Sequence, residues 1–415
     1  MTIGIGGNSA KQALDNLVNM TNGVEPIALA EFQQRIENAQ HLMRQQGVDY
    51  LFLTPGSNLV YFTNIQWRVT ERLFGALIPS RGGITYVVPK FEFDSFAENK
   101  LISGDVLTWQ EHEDPFALVT YYCHKNINDS NINDSVVRNL TMALCGASPF
   151  TFATRLSNGS EHFQITCADK ITEPLRQIKS SAELAIIETV MQMTLAVQQA
   201  AASILYEGIS CQEVISFIDA AHKKVGASGS YFCLVLFDVY SALPHGTSQL
   251  QTLKANDMVL IDTGCKLMGY TSDITRSYVF GSPSSKQRTV WEAEKQAQTA
   301  VFNAVERNKT CANLDNIARK TLAQCGFSDS YALPGLPHRT GHGIGLDIHE
   351  SPYLVANDDT TLVPGMCFSN EPTICIENEF GVRLEDHFYV TDQGPKWFTE
   401  PSLSIDNPFG LSVDD

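Results

Sequence analysis

The sequence lacks the features that would place a protein in a membrane or on a nucleic acid. Over 415 residues it contains no run of about 18 apolar residues, which a membrane-spanning helix requires. It contains no block of lysine and arginine, and its formal net charge of −17 argues against a phosphate-binding surface. We therefore expect no membrane partner and no nucleic-acid partner.

Paired cysteines and an export signal are also missing. The ten cysteines form no Cys-x-x-Cys pair, and the first residues lack the basic and apolar regions of a signal peptide. We therefore expect a cytoplasmic protein with reduced, mostly buried thiols. With 43% hydrophobic residues, the chain has the composition of an ordinary globular protein, and it is long enough for about two or three domains.

The order of helix-like and strand-like patterns predicts two domains. Residues 30–47 carry apolar side chains at helical spacing, and strand-like runs follow between residues 49 and 89. The tandem Asn-Ile-Asn-Asp-Ser repeat at 126–135 is interpreted as a surface loop. We predict an N-terminal α/β domain at 1–172 and a C-terminal domain at 173–415. In the second domain the patterns predict helices at 180–206, 211–224, 286–307 and 311–325, and strands at 231–237 and 257–262.

Five potential metal ligands stand in the C-terminal part of the chain: Asp262, Asp273, His342, Glu371 and Glu385. Four carboxylates and one imidazole suit two adjacent hard or borderline divalent cations. Two such ions can activate a water and polarise a carbonyl. Asp262 ends an apolar run, where an unpaired carboxylate would be expensive to bury. Taken singly, each aspartate could equally end a strand or decorate the surface.

Histidines cluster in a glycine-rich segment. His338, His342 and His349 lie within twelve residues, although the whole chain has only ten histidines. We expect one of them to coordinate metal as a neutral imidazole, while the other two donate hydrogen bonds to a substrate oxygen or carboxylate. The alternative is a purely structural turn. Further along, strand alternation puts Arg383, Glu385 and His387 on one face, where Arg383 can orient a ligand carboxylate.

These motifs resemble the pita-bread metallopeptidases, and among them the branch of prolidases and Xaa-Pro aminopeptidases. The resemblance rests on four motifs: Asp262 with Tyr270-Thr-Ser-Asp273-Ile-Thr-Arg276, His342-Gly-Ile-Gly-Leu with His349, Asn370-Glu371-Pro372, and Arg383-Leu-Glu385-Asp386. It covers residues 175–395 and extends more loosely over the N-terminal half. It implies an α/β chain of the α+β type, with a C-terminal pita-bread fold and an N-terminal creatinase-like domain.

The resemblance also implies roles for the individual residues. The five ligands would bind two divalent ions per subunit, with Asp273 and Glu385 bridging them; manganese is expected, with cobalt, zinc or iron as alternatives. Glu371 would accept a proton as a metal-bound hydroxide attacks the peptide bond. His245 and His349 would stabilise the tetrahedral intermediate. The substrate pocket would be lined by His245, His338, His349 and Arg383.

The implied function is an Xaa-Pro dipeptidase that acts on a proline-containing dipeptide or short peptide. The alternatives are an Xaa-Pro aminopeptidase on longer peptides, or a metal-dependent enzyme of this fold with a small non-peptide substrate (a C–N hydrolase or lyase). One departure from the family is Cys375, which stands where a tyrosine often assists catalysis. We further expect a homodimer in which the N-terminal domain helps close the partner's active site, with Trp67, Arg68 and Arg72 as candidates to reach over.

Overall fold

The computed structural model describes residues 2–130, 139–159 and 163–412. Its backbone contacts divide the chain into two units, one of Ile27–Arg176 and one of Met1–Pro26 with Gln177–Asp415. Among the described residues, no helix combines the length and the apolar character that crossing a bilayer would require.

The first 26 residues, with helix α1 (Ala10–Asn16), lie in the same unit as the C-terminal part, where we had expected them in the N-terminal domain. Backbone hydrogen bonds explain this placement. Thr2 donates to Gly281 at 3.0 Å, and Ile3 donates to Asp406 at 2.8 Å. Further along the segment, Met20 donates to Val225 at 2.9 Å. The unit is therefore assembled from two stretches that are far apart in sequence.

The Ile27–Arg176 unit is built on a six-stranded mixed sheet in the order β4-β3-β2-β1-β5-β6. Its strands are β1 (Tyr50–Leu53), β2 (Gly75–Pro79), β3 (Thr85–Pro89), β4 (Asp105–Trp109), β5 (Leu140–Leu144) and β6 (Phe163–Cys167). Its helices are α2 (Leu29–Gln46), α3 (Ser57–Thr63), α4 (Phe93–Asn99), α5 (Pro115–Ser130), α6 (Phe150–Asn158) and α7 (Asp169–Gln177), with a 3₁₀ turn at Lys90–Glu92. Strand β1 is fully buried at the centre of the sheet because β2 and β5 flank it, the first antiparallel and the second parallel.

The loop prediction for the tandem repeat is wrong for its first copy. Residues 126–130 form the last turns of α5, because the helix that begins at Pro115 continues through them to Ser130. The second copy, at 131–135, lies outside the described residues.

The larger unit contains the predicted helices α8 (Ser181–Ser203), α9 (Cys211–Val225), α10 (Ser285–Asn303) and α11 (Cys311–Gln324). Each begins with a capping box, in which a Ser or Thr side chain and the side chain three residues on satisfy each other's backbone N–H groups. These boxes and the apolar spacing explain why the four helices were predictable within a few residues.

Three sheets pack with these helices. The first, ordered β10-β8-β7, contains β7 (Ser230–Phe237), β8 (Met258–Leu267) and β10 (Ile274–Val279), and the short β9 (Tyr270–Thr271) pairs with β8. The second, ordered β12-β11-β13-β16-β17, contains β11 (Gly341–Gly343), β12 (Glu350–Leu354), β13 (Cys367–Asn370), β16 (Asp386–Thr391) and β17 (Gly394–Trp397). The third pairs β14 (Thr373–Ile376) with β15 (Phe380–Arg383), and a 3₁₀ turn covers Asp238–Ala242.

A backbone bridge connects the first two sheets. Thr275 in β10 faces Glu385, which immediately precedes β16, and the Glu385 N–H donates to the Thr275 carbonyl at 3.1 Å. This bridge therefore joins β10 of the first sheet to the residue that precedes β16 of the second sheet.

Candidate metal centre

The two aspartates lie on neighbouring strands of the first sheet. Asp262 is in the middle of β8, opposite Thr275 of β10, and Asp273 directly precedes β10. We had expected Asp262 to end its strand, which was predicted to stop at residue 262. Strand β8 instead continues to Leu267, because β7 pairs with it on one side and β9 and β10 pair with it on the other.

His342 occupies the centre of the cluster. Its Nε2 atom lies 3.1 Å from Glu371 Oε1, 3.6 Å from Asp273 Oδ2 and 3.9 Å from Glu385 Oε1. Its Nδ1 atom lies 2.9 Å from the Gly343 carbonyl, which can only accept, so Nδ1 donates this hydrogen bond. In the neutral ring the Nε2 lone pair then faces the carboxylates, which is the orientation of a metal-bound histidine.

The surrounding backbone permits this placement. Gly341 precedes His342, and a Cβ atom at Gly341 would lie 2.1 Å from the Ser369 carbonyl. Only glycine therefore allows β11 to approach β13 so closely. The Ser369 hydroxyl accepts a hydrogen bond from the His342 N–H at 2.8 Å and donates one to Glu371 Oε1 at 3.0 Å. One serine thus positions both the imidazole and a carboxylate.

Several carboxylate oxygens in the cluster have no protein partner. Asp262 Oδ1, Asp273 Oδ1 and Glu385 Oε1 are buried and accept no hydrogen bond among the described residues. Burial, followed by the charge of neighbouring carboxylates, raises the pKa values of Asp273 and Glu385 well above their usual range. The unpartnered oxygens and the raised pKa values have the same cause, because several carboxylates are buried close together. Divalent cations would give these oxygens a partner, so the residues present fit a metal centre.

Arg383 is the last residue of β15 and β16 begins only at Asp386, so the single strand assumed across Arg383, Glu385 and His387 is interrupted. Its Nη2 donates to Asp262 Oδ2, and its Nε donates to the Thr275 hydroxyl at 3.0 Å. The Thr275 hydroxyl in turn donates to Glu385 Oε2 at 2.7 Å. Arg383 therefore orients two of the expected ligands, one directly and one through Thr275. Its expected contact with substrate stays a prediction.

The expected pocket histidines line one cavity of about 720 Å³ together with the five expected ligands. His338 is held by the Arg339 carbonyl at 2.7 Å and by the Thr373 hydroxyl at 3.1 Å. The His349 ring lies 4.4 Å from the His342 ring, and burial lowers the pKa of His349 to about 4. His245 is the most loosely held, since it is exposed at the wall of the cavity.

Strand alternation predicted that His387 shares a face with Glu385, but no role was predicted for His387. It is fully buried, and neither ring nitrogen makes a hydrogen bond of ordinary geometry. Asp273, His342, Glu385 and His387 each offer a potential ligand atom within 4.8 Å of the others. Burial lowers the pKa of His387 well below its usual value, so the ring is neutral. His387 lies two residues after Glu385, so strand alternation alone indicates that the two side chains share a face.

Two further expectations concern residues around the centre. Cys375 is buried in β14, and burial raises the pKa of its thiol to about 11, so it is protonated near neutral pH. In the Ile27–Arg176 unit, Trp67 stacks on Phe74 with ring centroids 4.3 Å apart, and Arg72 pairs with Glu71 and Glu111. Arg68 is exposed. A role for these three residues across a dimer remains a prediction.

A buried group of carboxylates around a histidine, at the junction of two sheets, is a donor set suited to divalent cations, which can support hydrolysis. Residues 185–392 match metallopeptidase family M24, and residues 35–178 match the creatinase/prolidase N-terminal domain. The chain belongs to metallopeptidase family M24. The predicted fold class, a C-terminal pita-bread fold with an N-terminal creatinase-like domain, is confirmed.

Similar proteins extend over almost the whole chain. An uncharacterized peptidase of Staphylococcus epidermidis is 29% identical over 368 residues, which cover 88% of this chain and 99% of the relative. The crystal structure of dipeptidase PepE from Mycobacterium ulcerans matches with a TM-score of 0.82 and 29% identity, over 91% of this chain and 97% of that one. An Xaa-Pro dipeptidase from Bacillus anthracis matches with a TM-score of 0.76 and 26% identity, over 89% and 98% of the two chains.

Proposed function

We propose that this protein is a two-metal hydrolase that cleaves the peptide bond between an amino acid and proline, in dipeptides. The observation that supports this most is the cavity itself. The five expected ligands share it with three histidines, and three of its buried carboxylate oxygens have no protein partner. The dipeptidase and Xaa-Pro dipeptidase structures that resemble the chain support the choice of substrate.

Two divalent ions, when bound, would lower the pKa of a water and polarise the substrate carbonyl. The residues that would hold the ions are Asp262, Asp273, His342, Glu371 and Glu385. Manganese is the first expectation because four of the five donors are hard carboxylates, and cobalt, zinc or iron would also suit the set.

The remaining chemistry belongs to the protein's own groups. Glu371 is the proposed proton acceptor for the attacking water, and the Ser369 hydroxyl holds one of its oxygens at 3.0 Å. His349 is neutral because burial lowers its pKa to about 4, so one of its ring nitrogens can donate to the developing oxyanion. His245, which lines the same cavity, would be a second donor to the oxyanion. His338, fixed by two hydrogen bonds, would shape the pocket around the proline side.

The test is a substrate panel on protein that has been stripped with a chelator and reloaded separately with manganese, cobalt, zinc or iron. The substrates are Ala-Pro, Ala-Pro-Ala and Ala-Ala. We expect Ala-Pro to be hydrolysed fastest, with little turnover of Ala-Ala. The control is Asp273→Asn, which keeps the side-chain volume and should abolish both metal binding and turnover.

Other results of the substrate panel would indicate other kinds of enzyme. Turnover of Ala-Pro-Ala without Ala-Pro would indicate an aminopeptidase, and equal turnover of Ala-Pro and Ala-Ala would contradict the proline preference. Turnover of a small C–N or C–S compound without any peptide would show a non-peptide substrate.

A further inference from the structure

A buried ion pair joins the start of the larger unit to the loop that bears His349. Lys179 lies just after the point where the chain leaves the Ile27–Arg176 unit. Its Nζ atom lies 3.0 Å from Glu350 Oε2, and the two side chains are only 2% and 6% exposed. Lys179 does not line the active-site cavity, so the proposed chemistry gives it no role. Two charges are costly to remove from water, so a buried pair at this place calls for an explanation.

His349 depends on its backbone for its placement. Its ring lies at the wall of the cavity, 4.4 Å from the His342 ring and inclined to it by 73°. His338 is fixed by two hydrogen bonds, whereas no hydrogen bond from a described residue fixes the His349 side chain. The direction of the His349 ring is therefore set by the loop of residues 344–349, which connects β11 to β12.

The Glu350 carboxylate organises this loop. Its Oε1 atom accepts a hydrogen bond from the Asp347 N–H at 3.1 Å. A Cβ atom at Gly345 would lie 2.8 Å from Oε1 and 2.9 Å from Oε2, so the carboxylate packs directly against the loop backbone. The Gly345 carbonyl in turn accepts from the Thr271 N–H at 2.8 Å. Since Glu350 directly follows His349, a displaced carboxylate would change the loop that carries the imidazole.

Lys179 is itself held in place. Its N–H donates to the Gly365 carbonyl at 2.9 Å, and Gln177 Nε2 donates to the Ser351 hydroxyl at 3.2 Å. The segment that carries Lys179 is thus fastened on both sides of the ion pair, which places the ammonium group beside the Glu350 carboxylate. Without Lys179, the buried carboxylate would lose this charge partner, and such a loss strongly favours movement toward water or uptake of a proton.

We propose that Lys179 is a positioning residue that holds His349 in its working orientation by fixing the Glu350 carboxylate. This inference deepens the proposed function and rests on it for the role of His349 as a donor to the oxyanion. It assigns part of the catalytic rate to a side chain outside the cavity. A displacement of about 1 Å in a positioned group can lower a rate by ~10²-fold, so an indirect contact of this kind has a measurable effect.

The first test is a double-mutant cycle on kcat for Ala-Pro. Lys179→Met removes the charge and keeps an unbranched side chain. It should lower kcat about 10- to 100-fold because His349 is misplaced, with KM within about twofold of wild type and metal content unchanged. In the His349→Ala background the same substitution should lower kcat by less than about threefold, because the group that it misplaces is already missing.

A compensating variant separates this effect from a general loss of folding. Lys179→Met with Glu350→Gln removes both charges, while the amide oxygen can still accept from the Asp347 N–H. This double variant should recover kcat to within about fivefold of wild type. The matched control is Lys286→Met, which removes an exposed lysine paired with Glu379 and should leave kcat unchanged.

A second readout follows the imidazole itself and needs no substrate. Because the His349 ring packs edge to face with the His342 ring, its proton NMR shifts depend on their relative placement. Histidine-labelled protein is compared without metal and with zinc, which is diamagnetic, and the His349 signals are identified by their absence in His349→Ala. We expect these signals to shift in Lys179→Met, to return toward wild type when Glu350→Gln is added, and to stay unchanged in Lys286→Met.

The outcomes separate this inference from the proposed function. If no metal-loaded form hydrolyses Ala-Pro, the proposed function fails, whereas shifted His349 signals in Lys179→Met still support the positioning by Lys179. Unchanged His349 signals overturn the inference whether or not a peptide is cleaved. If Ala-Pro is hydrolysed and the losses from Lys179→Met and His349→Ala multiply, Lys179 acts independently of His349 and the inference is wrong. Loss of metal in Lys179→Met would also contradict it.

Discussion

At the residue scale, the metal centre opposes folding when no cation is present. Asp273 is only 4% exposed, and burial with neighbouring carboxylates raises its pKa well above the usual range. At neutral pH the unfolded state therefore ionises Asp273 more easily than the folded state does. The charge that suits the residue to a cation reduces the stability of the metal-free protein.

The first prediction follows for Asp273→Asn. The metal-free variant should be more stable than metal-free wild type, by about 1–3 kcal/mol in urea denaturation, because the neutral amide removes the repulsion. Elemental analysis should show that the same variant no longer retains the two ions. Full metal occupancy with full activity would contradict the assignment of Asp273.

The second prediction concerns His349, which lies beside His342 but is not needed as a ligand. His349→Ala should lower kcat by about 10²–10³, the usual effect of losing a positioned donor to an oxyanion. Metal content should be unchanged. Loss of metal in this variant would show that His349 is a ligand instead.

The third prediction concerns His222, a buried histidine that is not among the expected ligands. Its ring lies 2.9 Å from the Ser230 hydroxyl and 3.3 Å from that of Thr194, and burial lowers its pKa to about 4 despite the charge of Asp219. Its contribution to stability is complete above the unfolded-state pKa of about 6.5. It is lost as pH falls toward 4, because the unfolded state then binds the additional proton.

His222→Gln should therefore flatten the pH dependence of unfolding between about pH 6.5 and 4. The difference between wild type and variant should change by up to about 3 kcal/mol over this window. The metal ligands titrate equally in both proteins, so the difference isolates His222. Parallel profiles would show that His222 does not control acid stability.

At the scale of elements, the junction between β10 and β16 is held by a fully buried ion pair. Arg276 Nη2 lies 2.7 Å from Asp386 Oδ1, and Arg276 Nη1 donates to the Glu385 carbonyl at 3.1 Å. The pair thus connects the strands that directly follow Asp273 and Glu385. Breaking it would leave Asp386 as a buried charge whose cation has been removed.

The fourth prediction is that Arg276→Met lowers the free energy of unfolding by about 3–5 kcal/mol in urea denaturation. The matched control is Arg288→Met, which breaks an exposed pair with Asp406 and should cost less than about 1 kcal/mol. Adding Asp386→Leu to Arg276→Met should restore part of the loss. Equal effects of the two arginine variants would show that burial does not determine the strength of the pair.

The elements also show what local sequence can and cannot predict. Helices α8–α11 are governed by capping residues and apolar spacing within one segment, so the sequence predicted them closely. Strand β8 was predicted too short because its end depends on pairing with β7 and β9 rather than on its own residues. The first repeat copy was assigned to a loop because its polar composition was given more weight than the helix that precedes it.

In the candidate site, too, local motifs were predictable and features of the folded chain were not. The five expected ligands stand in recognisable motifs, and the structure brings them together. His387 received no role because its importance depends on being fully buried beside His342, which spacing alone does not reveal.

At the scale of the whole molecule, the fifth prediction is that the active form is a homodimer. The Ile27–Arg176 unit contains no expected metal ligand, yet it is a substantial folded body with its own six-stranded sheet. We expect it to help close the partner's active site. Light scattering during size-exclusion chromatography measures the molar mass directly. A monomer with full activity would contradict the predicted homodimer.

The larger unit is built from two stretches that are far apart in sequence, so it can be completed only late in synthesis. Ile3 donates its backbone hydrogen bond to Asp406, and Thr2 donates to Gly281. Residues 2 and 3 must wait for partners that are translated hundreds of residues later, roughly 20–80 s for Asp406 at ordinary elongation rates. The Ile27–Arg176 unit can fold in the meantime. A chain terminated before residue 385 lacks both Glu385 and Asp406, so neither the metal centre nor the backbone partner of Ile3 is present.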